Sequence, residues 1–156
     1  MKKIVVFGLF LFSLNINVNA QDSTNSSHST LKWQQDFNNA KSISKVDEKP
    51  ILIFFTGSDW CGSCKMLVSD FFESEKFKQI AQKEFVLYEA DFPRNKDLVT
   101  DFQVIDNAKL KKKYKVTSFP TVIIINANGK ILVKRKGYNL MRDTSYYFDL
   151  IDSVLK

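Results

Sequence analysis

Two cysteines set the chemistry this chain can do, and they stand three residues apart in Trp60-Cys61-Gly62-Ser63-Cys64-Lys65. An apolar β-branched and aromatic run, Ile51-Leu52-Ile53-Phe54-Phe55, leads into Thr56-Gly57-Ser58-Asp59, and helical periodicity resumes at Met66-Leu67. Strand, loop, helix is the predicted order. Both cysteines then fall at a helix start, where free N–H groups and the helix dipole favour a thiolate. Residues three apart on a helix lie about 5–6 Å apart, within the span a disulfide bridges. Cys61 is expected exposed at the helix start and Cys64 one turn inside. This is the pattern of a two-thiol redox switch.

Other chemistries are poorly served. A zinc site needs about four ligands, and the chain has two cysteines and a single histidine, His28, in a polar tract. No metal and no cofactor are expected. A bridge closing two intervening residues removes little chain entropy, so stability is a weak reason for the pair. The charge is +6 over 156 residues. Setting aside Lys2 and Lys3, in a segment read below as removed, leaves 21 basic against 17 acidic residues, a net +4. The densest basic run, residues 109–115, reads as a solvated helix face, and no nucleic-acid partner is expected.

The elements that must position the pair follow in order. Residues 1–20 combine Met1-Lys2-Lys3, an apolar stretch at 4–14 and Val18-Asn19-Ala20 before a cleavage point, the three parts of a secretory signal peptide. The apolar stretch falls short of the roughly 20 residues that span a bilayer. Residues 21–30 are polar and of low complexity, a flexible leader in which Asn25-Ser26-Ser27 matches a short glycosylation pattern. Residues 31–156 form the folded domain. A helix is predicted from Leu31, Trp33, Phe37, Ala40 and Ile43 or Ser44 up to Lys49-Pro50. A second helix runs over 61–82 with a kink or break near Glu73-Ser74-Glu75, then a strand over 84–91. Residues 92–107 are a long mixed connection containing a short helical turn, and 108–115 a short basic helix with Leu110 and Tyr114 inward. A buried strand over 121–125, a turn at Asn126-Ala127-Asn128-Gly129 and an antiparallel strand over 130–135 come next. Gly137 breaks that strand, and a helix over 143–155 closes the chain with Tyr147, Leu150, Ile151 and Val154 on one face. The sum is an α/β class: a central mixed β-sheet flanked by helices, with a core rich in the chain's 14 phenylalanines.

Trp60-Cys61-Gly62-Ser63-Cys64-Lys65, together with Ser118-Phe119-Pro120-Thr121 before a buried strand, resembles the thioredoxin superfamily. Within it, residues 55–61 and Asp91-Phe92-Pro93-Arg94 are similar to exported bacterial thioredoxin-like proteins, and the likeness covers residues 31–156. It implies a thioredoxin-like fold and a thiol:disulfide oxidoreductase, periplasmic or secreted. Cys61 would be the attacking thiolate and Cys64 the resolving thiol. Pro120 would be a cis-proline facing them, Phe119 and Thr121 would hold an extended substrate segment through their backbone, and Trp60 would line the rim. Protein disulfides are the implied substrates, a membrane electron-transfer protein the implied reductant, and a monomer the implied state. A non-catalytic adaptor that uses the fold as a binding surface is the alternative.

Two features depart from the family. Six residues before the first cysteine, where thioredoxins usually carry a buried acid beneath the pair, this chain has Phe55. The lysine that accompanies that acid also has no counterpart among Leu87, Tyr88 and Glu89, which leaves water or Glu89 to handle the Cys64 proton. Asp59, nearer in sequence, is expected to be a solvated loop residue. The second departure is the long connection after Asp91, read equally as a partner-binding surface or an insertion. Gly62-Ser63 between the cysteines lacks the histidine of strongly oxidising relatives. A reductase-like potential, nearer roughly −270 mV than roughly −120 mV, is expected.

Overall fold

The central strand β2 (Ile51–Thr56) is buried along its whole length, because both of its faces are covered. The computed structural model describes residues 31–156. The signal-peptide and leader readings, with Asn25 and His28, lie outside the described residues. Around β2 stand β1 (Trp33–Gln34), β3 (Val86–Asp91), β4 (Thr121–Ile125) and β5 (Ile131–Lys136), in the spatial order β1-β3-β2-β4-β5. β1 and β2 run parallel to β3, whereas β4 is antiparallel to both β2 and β5. The mixed sheet is the one anticipated.

Side chains alternate across the strands, and this splits the core in two. Leu52, Phe54, Leu87, Val122 and Ile124 join Cys61, Cys64, Leu67, Phe71, Phe72 and Phe77 on one face. Ile51, Ile53, Phe55, Tyr88, Ala90 and Ile123 join Phe37, Ala40, Leu110 and Tyr114 on the other. The first face is covered by α2 (Gly62–Leu67), α3 (Glu75–Glu84) and α5 (Ser145–Leu155); the second by α1 (Phe37–Val46) and α4 (Asp101–Lys113). Aromatic rings fill the first cluster. Phe71 alone stands 4.6–5.2 Å from the rings of Phe72, Phe77, Tyr147 and Phe148.

Helix limits follow from capping. Asp36 accepts from the N–H groups of Asn38 and Asn39 at 2.6 and 3.0 Å and starts α1. After α2 one π-helical turn, Val68–Phe72, closes with Glu73 N–H on the Val68 carbonyl at 2.9 Å. Ser74 then caps α3, which places the break where Glu73-Ser74-Glu75 suggested it.

Two element readings change. Residues 31–35 do not begin α1. Trp33 and Gln34 pair with Leu87 and Tyr88, and the Trp33 ring packs edge-on to Phe72 at 5.3 Å on the first face. Phe37 belongs to the second face, so the apparent single stripe joined side chains from opposite sides of the sheet. The basic helix starts at Asp101 rather than 108, behind a capping box of Thr100 and Gln103, with a 3₁₀ turn at Lys96–Leu98 before it. Its first turns leave Phe102, Val104 and Ile105 exposed, so they carry no inward period to read. Smaller shifts put β3 at Val86–Asp91, β5 at Ile131–Lys136 and α5 at Ser145–Leu155, and extend α3 to Glu84.

Candidate functional site

The site is built where β2 ends and α2 begins. Gly57 makes the turn: its carbonyl accepts from Trp60 N–H at 3.2 Å and Cys61 N–H at 2.8 Å. A Cβ on Gly57 would lie 2.3 Å from the Trp60 indole, so only glycine lets that ring fold back over the turn. Cys61 is itself the N-cap of α2.

Cys61 and Cys64 form a disulfide with Cα atoms 5.2 Å apart. Cys64 N–H donates to Cys61 Sγ at 3.2 Å, and Ser63 Oγ lies 3.6 Å from the same sulfur. The exposed Cys61 of the sequence reading is corrected: it is 5% exposed against 1% for Cys64, because both belong to the first core cluster. The expected order survives within that narrow margin. A helix N-terminus and a donated N–H stabilise negative charge on Cys61.

A frame of carboxylates fixes this turn to the loop after β3. Asp91 accepts from Ser58 N–H at 2.8 Å and Ser58 Oγ at 2.5 Å. Asp59 is solvent-facing as expected, yet it also accepts from the N–H groups of Asn95 at 2.9 Å and Arg94 at 3.0 Å. Those bonds, Asn95 foremost, hold its carboxyl below the usual range. Trp60 Nε1 donates to the Phe92 carbonyl at 2.9 Å. The long connection is therefore tied to the cysteine turn at its near end.

Pro120 lies immediately before β4 and is buried. The Phe119–Pro120 peptide bond is cis, and the Pro120 carbonyl accepts from Gly137 N–H at 2.8 Å. The Phe119 ring stands 5.9 Å from Trp60 and stacks on Phe92 at 5.2 Å with 23° between planes. Among the described residues neither the N–H nor the C=O of Phe119 has a hydrogen-bond partner. Its backbone N–H and C=O thus stand unpaired on the residue whose ring meets Trp60. Thr121 differs: its side chain is fully buried, its hydroxyl donates to Ser118 O at 2.7 Å, and it pairs with Phe55 and Lys136 in the sheet. Of the anticipated residues, the rings of Phe119 and of Trp60, the neighbour of Cys61 in the chain, meet at 5.9 Å, Pro120 is buried behind a cis peptide bond, and Thr121 is fully buried in the sheet.

The Phe55 expectation is overturned. Alternation turns Phe55 into the second cluster with Ile53, Tyr88 and Ala90, and the ring sharing the cysteines' cluster is Phe54. Opposite Phe54 in register stands Glu89. Two residues beyond Leu87, it faces the same side, half-buried, and burial first and the Asp91 charge second push its carboxyl up to about 7. The sequence pointed to Glu89 only as one of two candidates.

A further anchor went unread. In the π turn, Asp70 accepts from the Tyr138 hydroxyl at 2.7 Å and binds the Arg142 guanidinium through both nitrogens Nε and Nη2. These bonds, Arg142 first, hold Asp70 at about 2. They pin the loop after β5 to the helix that carries the cysteines. Residues 68 and 72 positions apart in sequence leave no local signal. Among the described residues no group of three or more histidines, cysteines or carboxylates is placed to hold a metal ion.

Comparison with known proteins agrees with this geometry. The thioredoxin-like domain family matches residues 37–145. The disulfide bond reductase DsbH of Chlamydia pneumoniae is 38% identical over 116 residues, covering 74% of this chain and 69% of the relative. The thioredoxin-related protein DsbJ of the same organism is 29% identical over 126 residues, 81% of this chain but only 36% of DsbJ. A solved structure of a DsbH oxidoreductase superposes with a TM-score of 0.73 at 32% identity, over 88% of this chain and 93% of that one.

Proposed function

The chain belongs to the thioredoxin-like family, and we propose that it is an exported thiol–disulfide oxidoreductase that reduces protein disulfides through the Cys61–Cys64 couple. The observation that carries this is the closed Cys61–Cys64 disulfide at a helix N-terminus, together with the unpaired backbone of Phe119, whose ring meets that of Trp60 next to Cys61 in the chain. In the reduced chain, the Cys61 thiolate attacks one sulfur of a substrate disulfide. A Cys61–substrate disulfide forms and the other substrate sulfur leaves as a thiolate. Cys64 then gives up its proton and attacks Cys61 Sγ, expelling the second substrate thiolate. Two electrons have passed to the substrate, and the chain is left in the disulfide form described above. The Phe119 edge aligns an extended segment for the first attack, and Trp60 covers the rim.

A reductant must return two electrons, and in a periplasmic or secreted setting a membrane electron-transfer protein fills that role. Residues 1–20 serve as the export signal, and residues 31–156 act as one monomeric domain. The relative named as a disulfide bond reductase supports the reducing direction.

The test is turnover of a disulfide-bonded protein by the pre-reduced chain. Wild type is expected to reduce it and Cys61→Ser to be inactive, whereas Cys64→Ser accumulates a covalent enzyme–substrate species detectable by intact mass. Full activity of Cys61→Ser contradicts the assigned roles. A reduced wild type whose Cys61 resists alkylation near neutral pH supports the adaptor reading instead.

A further inference from the structure

The basic end of α4 is a solvated face, and apolar residues lie beside it. Phe92, Ala108 and Val116 form the apolar walls of an open cavity of about 460 Å³, and Lys111, Lys112 and Lys115 stand at its rim. Its lining is mostly apolar carbon. A chain of ring contacts runs from the cavity toward Cys61. Phe92 stacks on Phe119, the residue before Pro120, and Phe119 meets Trp60 beside Cys61. Lys111 Nζ lies over both members of the stack, 5.2 Å from the Phe92 ring and 5.4 Å from that of Phe119. At the far end of the same ridge, the Arg94 guanidinium lies 5.5 Å from the Trp60 ring.

None of the three rim lysines has a carboxylate within ion-pair distance among the described residues; Asp106, the acid nearest in sequence, pairs with Lys109. A substrate segment lying along the Phe119 edge and leaving Cys61 toward α4 therefore meets an apolar floor ringed by uncompensated positive charge. Building on the oxidoreductase reading, we propose that this cavity is a substrate subsite that selects disulfides whose flanking segment carries an apolar side chain next to aspartate or glutamate. The apolar side chain lies on Phe92, Ala108 and Val116, and the carboxylates pair with Lys111, Lys112 and Lys115. Such complementarity acts chiefly on encounter rate and on the choice of partner, and salt screens it.

The test uses the pre-reduced full chain and four peptides with one intramolecular disulfide, differing only in the flanking pair: Glu-Leu, Gln-Leu, Lys-Leu and Glu-Ser. Each second-order reduction rate is expressed relative to that with hydroxyethyl disulfide, so that differences in folded fraction cancel. The Glu-Leu peptide is expected to react roughly tenfold faster than the Lys-Leu peptide at low ionic strength, within the range of electrostatic steering, and the ratio is expected to shrink at 1 M salt, where the Debye length is about 3 Å. Glu-Ser should fall below Glu-Leu, and Lys111→Gln with Lys115→Gln should bring Glu-Leu and Lys-Leu close together. Equal rates for all four peptides alongside brisk reduction of hydroxyethyl disulfide overturn the subsite alone. Retention of the full charge preference in the double variant overturns the assignment to these lysines. Failure to reduce any of the five disulfides overturns the oxidoreductase reading on which the subsite rests.

Discussion

Replacing Glu89 by glutamine should change how stability depends on pH more than it changes stability at any single acidic pH. Glu89 faces the cysteine side of the sheet opposite Phe54, and its carboxyl is pushed from an ordinary 4.5 to about 7, by burial first and by Asp91 second. The folded chain therefore holds this proton over a range in which the unfolded chain has released it. Below pH 4.5 both states are protonated and the residue is neutral in its effect. As pH rises through the folded value, the native state must carry a poorly solvated charge, and stability is lost. At about 1.4 kcal/mol for each tenfold difference in proton affinity, the gap corresponds to about 3 kcal/mol, lost between roughly pH 4.5 and 8. Glu89→Gln keeps the shape and removes the ionisation. Urea unfolding of the oxidised full chain, read by tryptophan fluorescence from pH 4.5 to 8.5, measures it. With a urea slope of about 1–3 kcal/mol/M, the variant's midpoint should exceed that of the wild type by about 1 M or more at pH 8 and converge toward it at pH 4.5. A difference between the two proteins that stays constant across this range refutes the reasoning.

Three other substitutions probe the frame around the site. Asn107→Ala removes the acceptor of the buried Tyr88 hydroxyl, bonded at 2.7 Å, and the donor to Asp91 O; a loss of about 1–3 kcal/mol is expected by urea unfolding, and an unchanged midpoint would show that water replaces both bonds. Gly57→Ala puts a methyl group into the Trp60 ring, so a shifted tryptophan emission and slower disulfide exchange are expected, and unaltered values of both contradict the packing. Asp70→Asn should lower the Tyr138 phenol from about 12, where burial and then the Asp70 hydrogen bond hold it; spectrophotometric titration reads this, and an unmoved phenol contradicts the anchor.

How much of this was legible depended on whether a feature is local. The buried run of β2 and the strand-loop-helix order around the cysteines are contiguous in sequence and formed as predicted, whereas the cis bond before Pro120 was expected only from the family resemblance. Asp36 and Thr100 show what was readable but passed over: a capping side chain at each position fixes the helix start better than apolar spacing did. The Leu31-to-Ile43 stripe failed because a two-residue strand and a helix happened to keep a helix-like spacing while facing opposite sides of the sheet. Phe54 and Phe55 show the same limit from another side. In a strand covered on both faces, adjacent phenylalanines give no sign of which one meets the cysteines. The Asp70–Tyr138–Arg142 anchor depends on tertiary geometry alone. The basic run at 109–115 is the solvated face its charge spacing suggested, with Lys109, Lys112, Lys113 and Lys115 exposed, but that spacing does not reveal that Lys111 reaches the Phe92–Phe119 stack.

Whether Cys61 and Cys64 form a reducing couple is tested most directly by their equilibrium with glutathione. The full chain is incubated anaerobically across a series of reduced-to-oxidised glutathione ratios, quenched with acid, alkylated and resolved by mass into dithiol and disulfide forms. The hydrogen bonds that reach Cys61 Sγ come from Cys64 N–H and the Ser63 hydroxyl, with no cationic side chain among them. Modest thiolate stabilisation of this kind leaves the disulfide comparatively favoured and the dithiol a strong reductant. A midpoint near roughly −270 mV is predicted, so that reduction requires a large excess of reduced glutathione. A midpoint near roughly −120 mV, or a pair that does not exchange with glutathione at all, contradicts the account.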